Sequence, residues 1–520
     1  MKSNVKLLVR LLCLLIACLT VLALVVACDK DETTGDKTQY KDNTKDRNGR
    51  LKDSLPDMDD DPTNDHLINF GGETINLMYW AEVENPEFEQ AEITGDNVRD
   101  AIYDRNVNVE DRLNVDLNFI PVYAAYHGAR EPFLKHIDAI YSAGTKDYDI
   151  IATYARTEGT LAIQGMLHNI GKIQDSYIDL EKPWWPAQLV DTVSFGNNDY
   201  YFISGDMSTC VLYMMHAMYL NKTMFEELEL ELPYQTVRDG KWTLDKLIEL
   251  TSNRYEDLDG DNVVSKGDMY GFCALHYVCD SFYPAANMRY IEENPTDMLV
   301  LSPDYGSAKT VKLVNKLGAW ASTDSVWVTS DGTHTSEEAG ATRKLFKQKQ
   351  ALIWMEHAAT AADALVDVDF SYGIVPNPKF DERQLNYYTG VGNPITLYGI
   401  YVDFDDRGDR DKTLQMFTAV MECHASEGYR LTTPEIFEVN MQLKYAEGQD
   451  ETDMFEYVRS GIVFDLGKIF NIELDNMTEI VSVAIAGNAS WSSSYKSYKR
   501  SIEAKLKTIV QDFKVYQGRA

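Results

Sequence analysis

The sequence predicts an α/β protein whose folded body has two lobes, and three observations carry that reading. Strand-like and helix-like periodicities alternate from Thr74 onward, as in a mostly parallel sheet covered by helices. The chain has 520 residues, and about 450 remain once its N-terminus is set aside, more than one core usually supports. The pattern also changes around Gly205 and stops again at Pro376 and Pro378, which divides the body into segments.

The N-terminus is a targeting segment. Lys2, Lys6 and Arg10 precede an apolar run from Leu11 to Ala27, which ends in Val25-Val26-Ala27-Cys28. A basic start, an apolar stretch and small residues before a cut site make 1–27 a signal peptide. Its end resembles a bacterial lipobox, in which the Cys28 thiol is lipidated and becomes the mature N-terminus. The alternative is an uncleaved anchor, about 17 apolar residues being the short limit for a span. Residues 28–65 are dense in Asp, Lys, Thr and Asn and are expected to form a disordered acidic tether, with folding from His66. The chain is thus expected to be exported and lipid-anchored to the cell membrane, facing the extracellular or periplasmic side.

A net charge of −33 argues against nucleic acid and anionic lipid as ligands. Cys210, Cys273, Cys279 and Cys423 remain after the leader, without zinc-site spacing. A Cys273–Cys279 bridge and two buried thiols both stay open.

The elements follow in order. Ile75, Leu77 and Tyr79 share one face of a strand ending at Trp80; Val98, Ile102, Val109 and Leu113 recur at helical spacing. Val115, Leu117 and Phe119 alternate, Phe133, Ile137 and Ile140 mark a second helix, and Tyr148–Thr153 reads as a buried strand. This βαβαβ run puts ligands outside the carboxyl ends of its strands. Tyr200–Ser204 and Val211–Leu220 read as strands, and helices start at Asn221 and Thr243. Ala351–Met355, Phe370–Val375 and Tyr398–Val402 read as further strands. The rest is largely helical, with a start at Thr433-Pro434-Glu435 and a last helix carrying Ile502, Leu506, Ile509, Val510 and Phe513.

Several short stretches carry a family resemblance: Tyr148-Asp149-Ile150-Ile151, Tyr219-Leu220-Asn221-Lys222, Gly240-Lys241-Trp242-Thr243-Leu244, Asp268-Met269-Tyr270-Gly271-Phe272, Ala351-Leu352-Ile353-Trp354-Met355 and Tyr372-Gly373-Ile374-Val375-Pro376. In this order and spacing the chain resembles the extracellular solute-binding lipoproteins of bacterial ABC importers, the carbohydrate-binding group in particular. The resemblance implies a two-lobe, periplasmic-binding-protein-like (Venus-flytrap) architecture with hinge crossovers and a helical C-terminal part. It sets lobe 1 at 66–204, lobe 2 at 213–375, and a return to lobe 1 with C-terminal helices over 376–520. It also implies two partners, a saccharide held between the lobes and a membrane permease that receives it.

One local motif stands apart. Asp257, Asp259, Asp261, Ser265 and Asp268 place oxygens at positions 1, 3, 5, 9 and 12 of a loop, with the Val263 carbonyl at position 7. That is the ligand pattern of an EF-hand, and it predicts structural Ca2+. Glycine stands at position 4 instead of 6, so Asn262 must take the left-handed turn.

A sugar needs flat aromatic surfaces for its C–H faces and acidic or amide groups for its hydroxyls. Trp80 with Glu82 ends the first strand, and Trp354 with Glu356 ends the strand from Ala351. Asp206 sits in the first crossing, and Tyr388 and Asn393 near the return. Trp184, Trp185 and Tyr387 are further candidates. No metalloprotease, nucleophile-elbow or phosphate-loop motif occurs, so no enzyme is expected. A surface glycan-processing enzyme and a binder of peptides or another polar solute are the alternatives.

Overall fold

The computed structural model describes residues 50–56, 68–125, 128–196, 199–295, 298–329, 336–365, 367–441, 449–487 and 489–516, together with Lys45. The leader, Cys28 and most of the expected tether lie outside the described residues. Among the described residues, no helix is long and apolar enough to cross a membrane.

The chain joins the folded body before His66. Leu55 is buried, and the Asp53 carboxylate lies 3.1 Å from both Arg112 and Arg430 while accepting from Ser426 Oγ at 2.6 Å. Burial pushes the Asp53 carboxyl up, but the two guanidiniums outweigh it and hold it below the usual range. The polar composition of 28–65 hides this Asp–Leu anchor, which lies inside the stretch expected to be a tether.

Elements of the first lobe are β1 (Glu73–Trp80), α1 (Asn97–Leu113), β2 (Val115–Val122), α2 (Arg130–Ala143), β3 (Ile150–Tyr154) and α3 (Ala155–Ile163). Asp96 caps α1 by accepting from the Arg99 N–H at 2.9 Å, and Asn114 ends it in left-handed geometry. Val98, Ile102, Val109 and Leu113 form its buried face. The second lobe holds β4 (His216–Asn221), β5 (Tyr270–Ala274), β6 (Val326–Val328), β7 (Ala351–His357) and β8 (Tyr372–Val375). The remainder supplies β9 (Thr389–Gly390), β10 (Thr396–Ile400), α4 (Arg410–Glu427), β11 (Ile462–Val463), α5 (Leu466–Ile469), α6 (Met477–Ile485) and α7 (Trp491–Tyr516).

The first sheet has the order β10-β3-β1-β2, parallel except for β10. The second has the order β8-β4-β7-β5-β6, in which β4 alone opposes its neighbours. β9 and β11 make a separate parallel ribbon. Ile203 still bridges Tyr398 on the first sheet, and β4 opens the second at His216, so the chain crosses between them. Where a strand is expected from Val211, residues Thr209–Tyr213 are helical. Ser208 caps that turn, its side chain accepting from the Val211 N–H at 3.4 Å.

The C-terminal part packs on both lobes. α4 packs on α1 of the first lobe, whereas α6 packs on 276–281 and the helix Ala308–Ala321 of the second. α7 touches both, meeting α3 on one side and the strand Met298–Leu301 on the other. Cys210, Cys273, Cys279 and Cys423 are free, buried thiols, so Cys273 and Cys279 are not bridged.

Candidate ligand-binding site

The carboxyl ends of the two parallel strand sets meet at one gap. Arg156, just after β3, lines a cavity with Asp280 and Tyr290 from the second lobe, Asn393 from the return crossing, and Asp465 and Lys468 around α5. Its volume is about 30 Å³, room for one or two waters. A sugar ring is larger than this space.

Four buried polar atoms on residues that line this cavity have no hydrogen-bond partner among the described residues: Arg156 Nε, Asp280 Oδ1, Tyr290 Oη and Asn393 Oδ1. Asp280 is 6% exposed and Tyr290 2%. A buried polar group left in that state costs about 1–3 kcal/mol, which is tolerated where a ligand completes it. The other Asp280 oxygen, Oδ2, lies 2.7 Å from Lys468 Nζ. Burial raises the Asp280 carboxyl, with Lys468 opposing. Asp465 is already engaged, accepting from the Tyr290 and Gly467 N–H groups at 2.8 and 2.7 Å, and burial pushes it up to about 6.

Behind the cavity the His216 and His357 rings lie 4.5 Å apart. His357 Nδ1 is 3.0 Å from Glu356 Oε1, and His216 Nδ1 is 2.9 Å from Gly390 O. Burial, then His357 and Lys468, hold the His216 imidazole well below its usual range. Gly392 makes this fit possible, because a Cβ there would lie 2.6 Å from His357 Nε2.

The structure sorts the candidates read from sequence. Asn393 lines the cavity. Tyr388 lines an adjoining depression of about 410 Å³ with Gln188, Tyr387 and Tyr457, and its hydroxyl accepts from Gln188 Nε2 at 3.3 Å. Val463 borders both spaces.

Five candidates are placed elsewhere. Trp80 is 1% exposed, donates from Nε1 to Thr396 Oγ1 at 2.9 Å and packs on Tyr154. Trp354 is fully buried between Tyr219 and Phe346. Sheets covered on both faces bury alternate residues of either parity, so a strand-end tryptophan is core here, not a platform. Glu82 accepts from the Ala124 and Ala125 N–H groups, both at 3.0 Å, and fixes that loop. Glu356 holds His357. Asp206 pairs with Arg459 at 3.2 Å, and burial leaves its carboxyl at about 6. Trp184 and Trp185 are likewise buried, both donating to Glu422.

Arg156, Asp280, Tyr290 and Lys468 escaped the sequence reading. Asp280 did leave a signal, as a lone carboxylate in the apolar stretch Tyr277–Ala286, where burial demands a partner.

The acidic loop keeps its own geometry. Asp257, Asp259 and Asp261 bring oxygens within 4.8 Å of one another, and Asn262 takes the left-handed turn at φ 61°. Asp257 accepts from the Gly260 and Asn262 N–H groups at 2.7 and 2.8 Å. Asp268 is buried and accepts from Tyr255 Oη and the Ser265 N–H at 3.1 and 2.7 Å, so a cation at that end would share an occupied carboxylate. The donor set, three convergent carboxylates on a turned loop, suits a hard cation.

No family model and no curated protein matches the chain. Solved structures do. An ABC substrate-binding protein from Listeria monocytogenes in complex with cycloalternan is 14% identical, with TM-score 0.50, covering 84% of this chain and 99% of its own. A cyclic α-maltosyl-1,6-maltose binding protein from Arthrobacter globiformis gives 13% and 0.52, over 84% and 100%. A cyclo/maltodextrin-binding protein complexed with maltotetraose gives 13% and 0.51, over 84% and 98%. All three are binding proteins. The chain has the two-lobed α/β fold of ABC solute-binding proteins.

Proposed function

We propose that this chain is the capture subunit of an ABC importer, closing its two lobes on a carbohydrate or oligosaccharide and passing it to a membrane permease. The observation that carries this is the cavity where both sheets end, with four polar atoms awaiting partners. Hydroxyl groups both donate and accept, so a saccharide edge satisfies Arg156, Asp280, Tyr290 and Asn393 together. The known binders of sugars among its structural neighbours support the same reading. Closure is favoured because Arg156 and Asp280 stand on different lobes and meet one solute only when these come together.

In this reading the chain is exported, tethered through an acylated Cys28, and not an enzyme. The 257–268 loop binds Ca2+ structurally, through Asp257, Asp259 and Asp261 with Val263, Ser265 and Asp268 completing the set. A thermal-shift screen of the body, kept from Arg50 so that Asp53 remains, tests the whole. A saturable shift with one class of saccharide, and its recovery unaltered, is the expected result. Cleaved sugar moves the case to an enzyme, and a shift only with peptides replaces the solute class.

A further inference from the structure

Asp280 stands differently from every other carboxylate around the cavity. Asp465 has both oxygens held by backbone N–H groups. Asp280, which lines the cavity, has one oxygen held by Lys468 and the other buried without a partner among the described residues. The lysine comes from α5 and the aspartate from 276–281, the turn after β5, so their contact joins two segments 188 positions apart. Facing Asp280 from the remaining elements are Arg156 of α3, His357 at the end of β7, and the hydroxyl of Tyr290.

We propose that Asp280 is the ligand-reading acceptor of this site, taking a hydroxyl proton of an uncharged saccharide on Oδ1, and that Lys468 is the positioning residue that aims it. The inference rests on the capture function proposed above and deepens it. Oδ2 bonded to the ammonium fixes the carboxylate plane, and the charge it balances leaves the pair neutral overall. Of the four unpartnered atoms, Asp280 Oδ1 and Asn393 Oδ1 only accept, Arg156 Nε only donates, and Tyr290 Oη does either. A neutral hydroxylated edge meets that set. A ligand carboxylate could pair only with Arg156 while its oxygens faced the Asp280 and Asn393 acceptors, so neutral saccharides are preferred over acidic ones.

Lys468 also sets the pH range of the site. Burial opposes ionisation of Asp280, and Lys468 is the strongest group opposing burial. Without the lysine the carboxyl rises further, so the anion that accepts the hydroxyl forms only at higher pH.

The test is titration calorimetry of the body from Arg50 with a panel of neutral linear saccharides and their uronic-acid counterparts, from pH 5 to 9. For the unsubstituted protein we expect neutral members to bind at least tenfold tighter than acidic ones. Asp280→Asn should lose at least tenfold at every pH. Lys468→Met should lose at least tenfold at the acid end of that range and less at the alkaline end, with Lys468→Arg restoring the low-pH binding. Tyr290→Phe guards against misfolding, since it removes only an unpartnered hydroxyl. Its melting temperature should hold or rise while its affinity falls. Unchanged affinity in Asp280→Asn, an equal loss at all pH in Lys468→Met, or preference for the acidic members overturns the inference and leaves capture intact. Silence of the unsubstituted protein across the panel overturns saccharide capture and this inference with it.

Discussion

The acidic loop and the interlobe cavity both gather polar groups, and the chain builds them in opposite ways. The acidic loop takes its carboxylates from Asp257, Asp259 and Asp261, inside one turn, and its geometry depends on local N–H groups. The interlobe cavity takes Arg156, Asp280, Tyr290, Asn393 and Lys468 from both lobes, the return crossing and α5. One is a property of a dozen residues, the other of the whole fold. A local site should therefore survive damage to the core that erases the assembled one.

Trp354→Ala tests that contrast hardest. Emptying a fully buried tryptophan site in the second sheet should cost about 3–5 kcal/mol, seen as a lower urea midpoint, and solute binding should go with it. The metal response of the loop should persist in whatever fraction stays folded. If Trp354 were a stacking platform instead, affinity would fall at unchanged stability.

Calcium approaches the contrast from the other side. At about 100 times its Kd, Ca2+ should add roughly 2.7 kcal/mol to the native state, read as a rise in melting temperature that a chelator reverses. Asp257→Asn should abolish that rise and leave solute affinity as it was. Coupled losses would show that the loop and the cavity are one system.

Acidity separates them again. Glu422, bonded to Trp184 and Trp185, is pushed by burial up to about 8 from its ordinary value of 4.5. Its folded form binds the proton more tightly than its unfolded form. The contribution is therefore complete below about pH 4.5 and lost as pH rises toward 8, at about 1.4 kcal/mol per unit. Denaturation at pH 5 and pH 8 checks the sign, and Glu422→Ala should flatten the slope. The smallest effect belongs to Tyr388→Phe, which gives up one bond from Gln188 and should cost about 0.5–1.5 kcal/mol without altering the calcium response.

The same contrast explains what the sequence made legible. The run from β1 to β3 could be read because periodicity is local, and Asn221, Thr243 and Asn262 announced themselves through their own turn chemistry. Trp80 and Trp354 misled because strand position reveals nothing about which face is covered when both are. Asp206 and Glu82 were sound as polar groups at critical places, yet their partners, Arg459 and the loop at Ala124, lie far off in sequence. Arg156, Asp280, Tyr290 and Lys468 converge only through tertiary packing, and no spacing between them could signal it. Asn393 was singled out as an amide close to the expected return crossing, and it does line the cavity.

The long C-terminal helix has a kinetic consequence. α7 leans on α3 of one lobe and on the strand Met298–Leu301 of the other, and its Phe513 stacks on Phe195 at 4.5 Å. In the capture function proposed above, a pure swing about the crossovers would tear one of those contacts, and opening would proceed by sliding along the helix. Packed surfaces slide in small steps. The arrival of solute is then timed by how often that surface slips, and association should run well below the diffusional rate.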